Sequence, residues 1–329
     1  MQSFAFERAA TLVQAIQLAG DPATSVVAGG TEVVNWIKEG IAAPRRLVDI
    51  SRLSGLDGIE VDGQGLRIGA LARMSSIAAD PVVRRDFPAV AQALLQSASP
   101  QIRNAATIGG NLLQRTRCPY FRAEVELPCN KRRPGSGCAA LAGADRFAAI
   151  FGWSSTCLAT HPSDVAVALV ALDATVHVEG PAGTRAIPMD ALHRLPGEDP
   201  ERETTLAPGE IVTAVAIPAS SAARRSHYLK VRERASYEFA LVSAAVGLDL
   251  DGNEIREARI ALGGVAAKPW RMPEAEAALR GAAMTDEPAL RRGIAVGLAE
   301  ARVRRDNGFK VELAMRTALR ALQAAGDMR

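Results

Sequence analysis

Residues 101–164 read QIRNAATIGGNLLQRTRCPYFRAEVELPCNKRRPGSGCAALAGADRFAAIFGWSSTCLATHPSD, and the rest of the chain is organised around them. The stretch holds Gly109-Gly110, all four cysteines of the protein and an acidic residue, Asp164, that opens a helix. Ile108 before the glycines and Asn111 after them make a corner where the backbone bends sharply and brings its N–H groups to an anion. Ten, eight and eighteen residues separate Cys118, Cys129, Cys138 and Cys157, which is not the paired C-x-x-C of a zinc ribbon or a redox dithiol. Four thiolates gathered from irregular loops suit a cubane cluster. Zinc takes the same four ligands, and spacing alone does not separate the two. The setting among Pro, Gly, Asn and Arg argues against four unrelated buried thiols. Two disulfides are disfavoured, because a chain without a secretory signal is expected to fold in a reducing compartment.

Working outward, residues 1–55 read as a small unit of alternating strand and helix. Leu12, Ala15, Ile16 and Ala19 fall at helical spacing, and Gly20 ends the pattern. A short apolar strand over 25–27 runs into Ala28-Gly29-Gly30-Thr31-Glu32, with a helix over 33–38 that Thr31 can cap. A strand, a double glycine and a helix start together make a second anion-binding corner, because unpaired N–H groups and the helix dipole point at the bound group. Over 56–220 short strands mix with helices, and Asp62-Gly63 marks a hairpin. ASSAARR at 219–225 is the expected boundary, followed by strands over 228–231, 241–250 and 255–262, then helices over 273–279, 288–305 and 309–324. The fold class is therefore α+β.

Composition excludes several functions. The 39 basic and 36 acidic residues are interspersed and sum to +3, so no nucleic-acid footprint stands out. No run approaches eighteen apolar residues, which predicts no membrane span, and the first twenty residues lack the charged and apolar regions of a signal. His161 has no metal-ligand company and reads as a satisfied structural histidine.

Two Gly-Gly corners about eighty residues apart suit a dinucleotide whose pyrophosphate is held from two sides, yet neither matches G-x-G-x-x-G, which argues against a Rossmann site. AGGTE at 28–32, QIRNAATIGGN at 101–111, PSD at 162–164, EIVTAVAIP at 210–218, KVRERASYEFA at 230–240 and GGVAAKPWRMPEAEAAL at 263–279 resemble the FAD-binding subunit of molybdenum hydroxylases. That is the family of xanthine dehydrogenase, carbon monoxide dehydrogenase and aldehyde oxidoreductases. The elements CPYFR, PCNKR, PGSGCAA and HPSD are similar to its periplasmic aldehyde oxidoreductase branch.

The resemblance implies a two-part FAD-binding domain of the xanthine dehydrogenase/vanillyl-alcohol oxidase type, with subdomains over 1–55 and 56–220, and an iron–sulfur insertion at 115–160. An α+β flavoprotein domain over 226–329 follows. It places the first pyrophosphate loop on Val26, Val27, Ala28, Gly29, Gly30, Thr31, Glu32 and Val33, and the second on Thr107, Ile108, Gly109, Gly110 and Asn111. Asp164 is expected on the adenosine or flavin part, Val212 near the isoalloxazine, and Lys230 close to the cofactor. Glu32 stands where many relatives have Asp. Cys118, Cys129, Cys138 and Cys157 are expected to ligate a [4Fe-4S] cluster.

No residue of the chain is assigned as catalytic, because no molybdopterin site and no second cysteine set is recognisable in it. The implied partners are a large subunit with the molybdenum cofactor, a small [2Fe-2S] subunit and an external electron acceptor. Aldehydes are the favoured substrates, with xanthine or another N-heterocycle as the alternative and a zinc-stapled binding module without redox activity as the second. The chain is expected to fold in the cytoplasm and to reach the periplasm only with a signal-bearing partner.

Overall fold

The structure, a computed structural model, describes residues 2–328. Three sheets, each with its own helices, follow one another along the chain. In the first, strand Arg46–Asp49 lies between Ala5–Arg8 and Thr24–Val27, and all three run parallel. Parallel neighbours need crossovers, which helices Leu12–Ala19 and Val33–Lys38 supply. Thr11 caps the first of these, its Oγ1 accepting the Gln14 N–H at 3.2 Å. The second starts at Val33 with Glu32 in the cap position and no side-chain cap, so the Thr31 cap expected from sequence does not form.

The second sheet is antiparallel, in the order Ile59–Asp62, Gly65–Gly69, Ile211–Pro218, Thr175–Gly180, Gly183–Pro188. The hairpin at Asp62-Gly63 forms as expected, with Asp62 Oδ1 accepting the N–H groups of Gln64 and Gly65. Helix Asp164–Ala171 is the centre of this unit, and all eight of its residues are buried. Its Val and Leu side chains each contribute about 1.5–3 kcal/mol by leaving water. A continuous apolar run can hold a helix only where packing surrounds it on every side. Pro88–Gln96 and the third sheet supply that packing.

In the third sheet Val242–Asp251 and Glu254–Gly263 form a long hairpin, flanked by Ser226–Val231 and Trp270–Arg271. Helices Pro273–Leu279, Glu287–Val296 and Phe309–Gly326 cover it. The helix expected over 288–305 stops at Val296, because the next residues are drawn onto the cysteine segment. The Arg302 N–H donates to Ile150 O at 2.8 Å, Asn307 Nδ2 to Ala149 O at 3.2 Å, and Arg304 pairs with Asp145 at 3.2 Å.

Residues 113–163 have almost no regular structure beyond the single 3₁₀ turn Ala139–Leu141 and isolated bridges such as Cys129 to Cys138. Side-chain hydrogen bonds such as those of Arg117, Arg122 and Arg304 tie them to the rest of the chain.

Candidate cofactor site

The first glycine corner is open to a ligand. Gly30 has φ +72°, a conformation that L side chains rarely adopt, and a Cβ on Gly29 would collide with the Ala105 carbonyl. The amides of Gly29, Gly30 and Thr31 donate to no acceptor among the described residues. Free N–H groups at a bend of this kind form an anion-binding concavity. They face a cavity of about 300 Å³ that Val26, Val27, Ala28, Val33, Trp36, Ile50 and Val212 also line.

The second glycine pair is not a turn but the start of a short helix, Ile108–Leu112, capped by Thr107. Its amides are already used. Ile108 N donates to Ala72 O at 3.0 Å, Gly109 N to Ala70 O at 2.9 Å, Gly110 N to Thr107 Oγ1 at 3.2 Å and Asn111 N to Thr107 O at 2.9 Å. The two glycine pairs therefore differ: the first has unpaired donors to offer, whereas the amides of the second are bonded within the chain.

A second cavity, about 390 Å³, is lined by Asn111, Asp164 and Lys230. It meets the first at Thr31, Glu32 and Gly110. Asp164 begins its helix behind the cap of Ser163, whose hydroxyl donates to Asn111 Oδ1 at 2.6 Å and so ties the two motifs together. The Asp164 carboxylate accepts from Tyr228 OH at 2.5 Å, from Lys230 Nζ at 2.8 Å and from Ser97 Oγ at 2.9 Å. Burial, and then the neighbouring Asp164 charge, push the Tyr228 hydroxyl well above its ordinary range. Ala98 (φ 51°) and Tyr237 (φ 54°) also border this cavity, two of three non-glycine residues with positive φ among those described. Strain of that kind gathers at ligand sites. Val212 lines the first cavity and Lys230 the second.

Tyr228 and Ser97 were missed in sequence. The signal for Tyr228 was present, because it stands two residues before Lys230 on strand Ser226–Val231 and period 2 puts both on one face. Nothing local marks Ser97.

The four cysteines line one small cavity together with Phe121 and Lys131. All four are free of disulfides, and Cys129 and Cys157 are buried. Burial pushes the Cys157 thiol up to about 11 and raises Cys118 as well, so unpaired thiols here are disfavoured as anions until a cation joins them. Among the described residues no three His, Cys, Asp or Glu side chains are gathered closely enough to hold one metal ion. A third cavity, about 440 Å³, lies between the cysteines and the second cavity and is lined by Cys118, Asp164 and Phe239.

His161 is not the satisfied histidine expected from sequence. Its ring lies 4.0 Å from that of His193, and among the described residues His161 Nε2 and His193 Nδ1 are buried without a partner. Burial holds both imidazoles neutral, His193 down to about 4.

Residues 2–220 match the family described as the FAD binding domain in molybdopterin dehydrogenase, and residues 227–325 the CO dehydrogenase flavoprotein C-terminal domain. The chain is 47% identical to the aldehyde oxidoreductase FAD-binding subunit PaoB of Escherichia coli (strain K12), over 99% of each chain. It is 29% identical to the glyceraldehyde dehydrogenase medium chain of Sulfolobus acidocaldarius, over 86% of this chain and 83% of that one. A chain of carbon monoxide dehydrogenase from Oligotropha carboxidovorans has the same fold, with a TM-score of 0.77 and 24% identity over 99% of this chain and 98% of that one.

Proposed function

The chain belongs to the FAD-binding subunits of the molybdenum hydroxylases, and on that premise we propose that it is the electron-exit subunit of a molybdenum-dependent aldehyde oxidoreductase. One observation carries the reading: two cavities that meet at Thr31, Glu32 and Gly110 make a continuous trough with unpaired amides at its middle. FAD has that form, with two ring systems on either side of a diphosphate. The chamber with Asp164, Lys230 and strained Tyr237 suits the isoalloxazine, because it borders the cavity that reaches Cys118. Val212 then belongs with the adenosine half, opposite to the position expected for it. The donor set fits: Gly29 and Gly30 let the backbone approach the diphosphate, and the Lys230–Asp164 pair presents polar groups to the ring's edge.

Cys118, Cys129, Cys138 and Cys157 would hold a [4Fe-4S] cluster. The thiols surround a cavity but do not close on a point, whereas zinc at about 2.3 Å from each sulfur would draw them to about 3.8 Å from one another. When bound, the two groups supply centres that take up and release electrons, and the chain's own part is to hold, orient and shield them. Electrons taken from an aldehyde on a molybdenum-binding large subunit would arrive by way of a small [2Fe-2S] subunit and leave to an external acceptor. Export to the periplasm would require a signal-bearing partner.

Co-purification with both partners is the test. Aldehyde oxidation is expected only for the assembled complex, with about four iron atoms per flavin in this chain. Robust turnover by the lone chain would overturn the assignment as an electron-exit subunit, and one zinc with no iron would overturn the cluster. Cys138→Ser is expected to lose the iron. Cell fractionation with and without the partner's signal decides the address.

A further inference from the structure

We propose that Glu32 does not bind the dinucleotide but positions its loop, making FAD affinity conditional on an ordered, metal-filled cysteine segment. The inference rests on the dinucleotide reading above. The Glu32 carboxylate accepts from Arg117 Nη1 and Nη2 at 2.6 Å each, from Arg122 Nη2 at 2.7 Å, from Trp36 Nε1 at 2.8 Å and from the Arg115 N–H at 3.1 Å. A carboxylate has about four acceptor positions. Four of the five donors converge on Oε1 and Arg117 Nη2 takes Oε2, so the carboxylate is turned to the arginines of the cysteine segment rather than to a ribose or a diphosphate.

Apart from Trp36 Nε1, these donors come from the start of the cysteine segment, 83–90 residues away in sequence. The same segment grips the far end of helix Val33–Lys38. Arg122 Nη1 donates to Glu39 Oε2 at 2.8 Å, and Arg132 Nη2 to Gly40 O at 3.1 Å. The helix that follows the open glycine corner is thus held at both ends by arginines of residues 115–132.

Those arginines are themselves set by packing. The ring of Phe121, fully buried, lies under Arg115 at 4.6 Å and Arg122 at 5.6 Å, while Arg117 covers Phe239 at 4.8 Å. Phe121 also lines the cysteine cavity. A segment with so little regular structure would draw order from a metal bound by its four cysteines. Filling the cysteine cavity would fix Phe121, Phe121 would fix the guanidiniums, and Glu32 would pass that order to Gly29-Gly30-Thr31. Binding linkage is reciprocal, so FAD would also strengthen metal affinity by the same factor.

The experiment measures FAD affinity of the full chain in its metal-loaded and chelator-stripped forms, with iron affinity of flavin-loaded and flavin-free chain, by competition with a chelator at equilibrium, as the reciprocal readout. The wild type is expected to bind FAD about tenfold more weakly after stripping, within the usual range of coupling between sites. Glu32→Gln keeps the shape but loses the charge, and is expected to bring the loaded-to-stripped ratio below about twofold. Arg117→Lys keeps the charge but loses the two-pronged contact, and is expected to lower the ratio without unfolding the chain. Equal affinity in both metal states of the wild type, or a tenfold ratio that survives Glu32→Gln, would overturn the coupling while leaving the dinucleotide reading intact. A loaded wild-type chain that binds no FAD would overturn both.

Discussion

Lys230 Nζ lies 2.8 Å from Asp164 Oδ2, in an ion pair whose side chains are 1% and 5% exposed. The pair joins the third sheet to the central helix of the second unit, and Tyr228 and Ser97 also donate to the Asp164 carboxylate. Removal of one charge strands the other in a low-dielectric site.

Lys230→Met is therefore expected to lower stability by about 3–5 kcal/mol, and Asp164→Asn by a similar amount. The double variant should lose less than the sum, since neither charge is left alone. Denaturant unfolding of the four proteins checks this, and strictly additive losses would contradict the pairing. Tyr228→Phe removes one charge-assisted bond and should cost about 1.5–3 kcal/mol.

Burial alone would push the Glu32 carboxyl up, but Arg117 and Arg122 outweigh it and hold the group below its ordinary range. A carboxyl with a depressed folded value adds stability that is complete above its unfolded value of about 4.3 and is lost as pH falls through the folded one. The stability difference between wild type and Glu32→Gln is expected to shrink as the pH drops below about 4.3. A difference that stays constant from pH 5 to pH 3 would show that the arginines do not act on this charge.

Lys310, on helix Phe309–Gly326, donates to Phe147 O, Ala148 O and Gly264 O, and burial pushes its ammonium down to about 7. The unfolded chain holds this proton up to about 10.4, so between those values the unfolded state binds more protons and stability rises with pH. Lys310→Met should remove that rise. Parallel pH profiles of wild type and variant between 7 and 10 would refute it.

At the first corner, Gly30→Val introduces a side chain at φ +72° beside the unpaired amides. Gly110→Val presses on Thr107 Oγ1, 3.1 Å from the new Cβ. Both variants are expected to remain folded with much less flavin, the first more severely because its corner has the free donors. Circular dichroism and flavin absorbance separate folding from binding, and a full flavin complement in both would remove the assignment.

The sequence by itself determined the parts whose signals span a few residues. The helix over 12–19, the strand-to-glycine corner at 25–31, the Asp62 hairpin and the Ser163 start all follow from caps, periods and turn residues within three or four positions. Grouping of the four cysteines was legible from their confinement to one segment. What only the tertiary structure decided depends on residues far apart in the chain. Glu32 reads locally as a ligand, yet it is consumed by arginines from the cysteine segment. Val212 and Lys230 line two different cavities. The helix expected over 288–305 breaks because residues 302–307 bond to residues 145–150. Such contacts leave no periodicity in the chain, since a hydrogen bond between residues 80 positions apart is specified by how the sheets pack and not by the residues beside either partner.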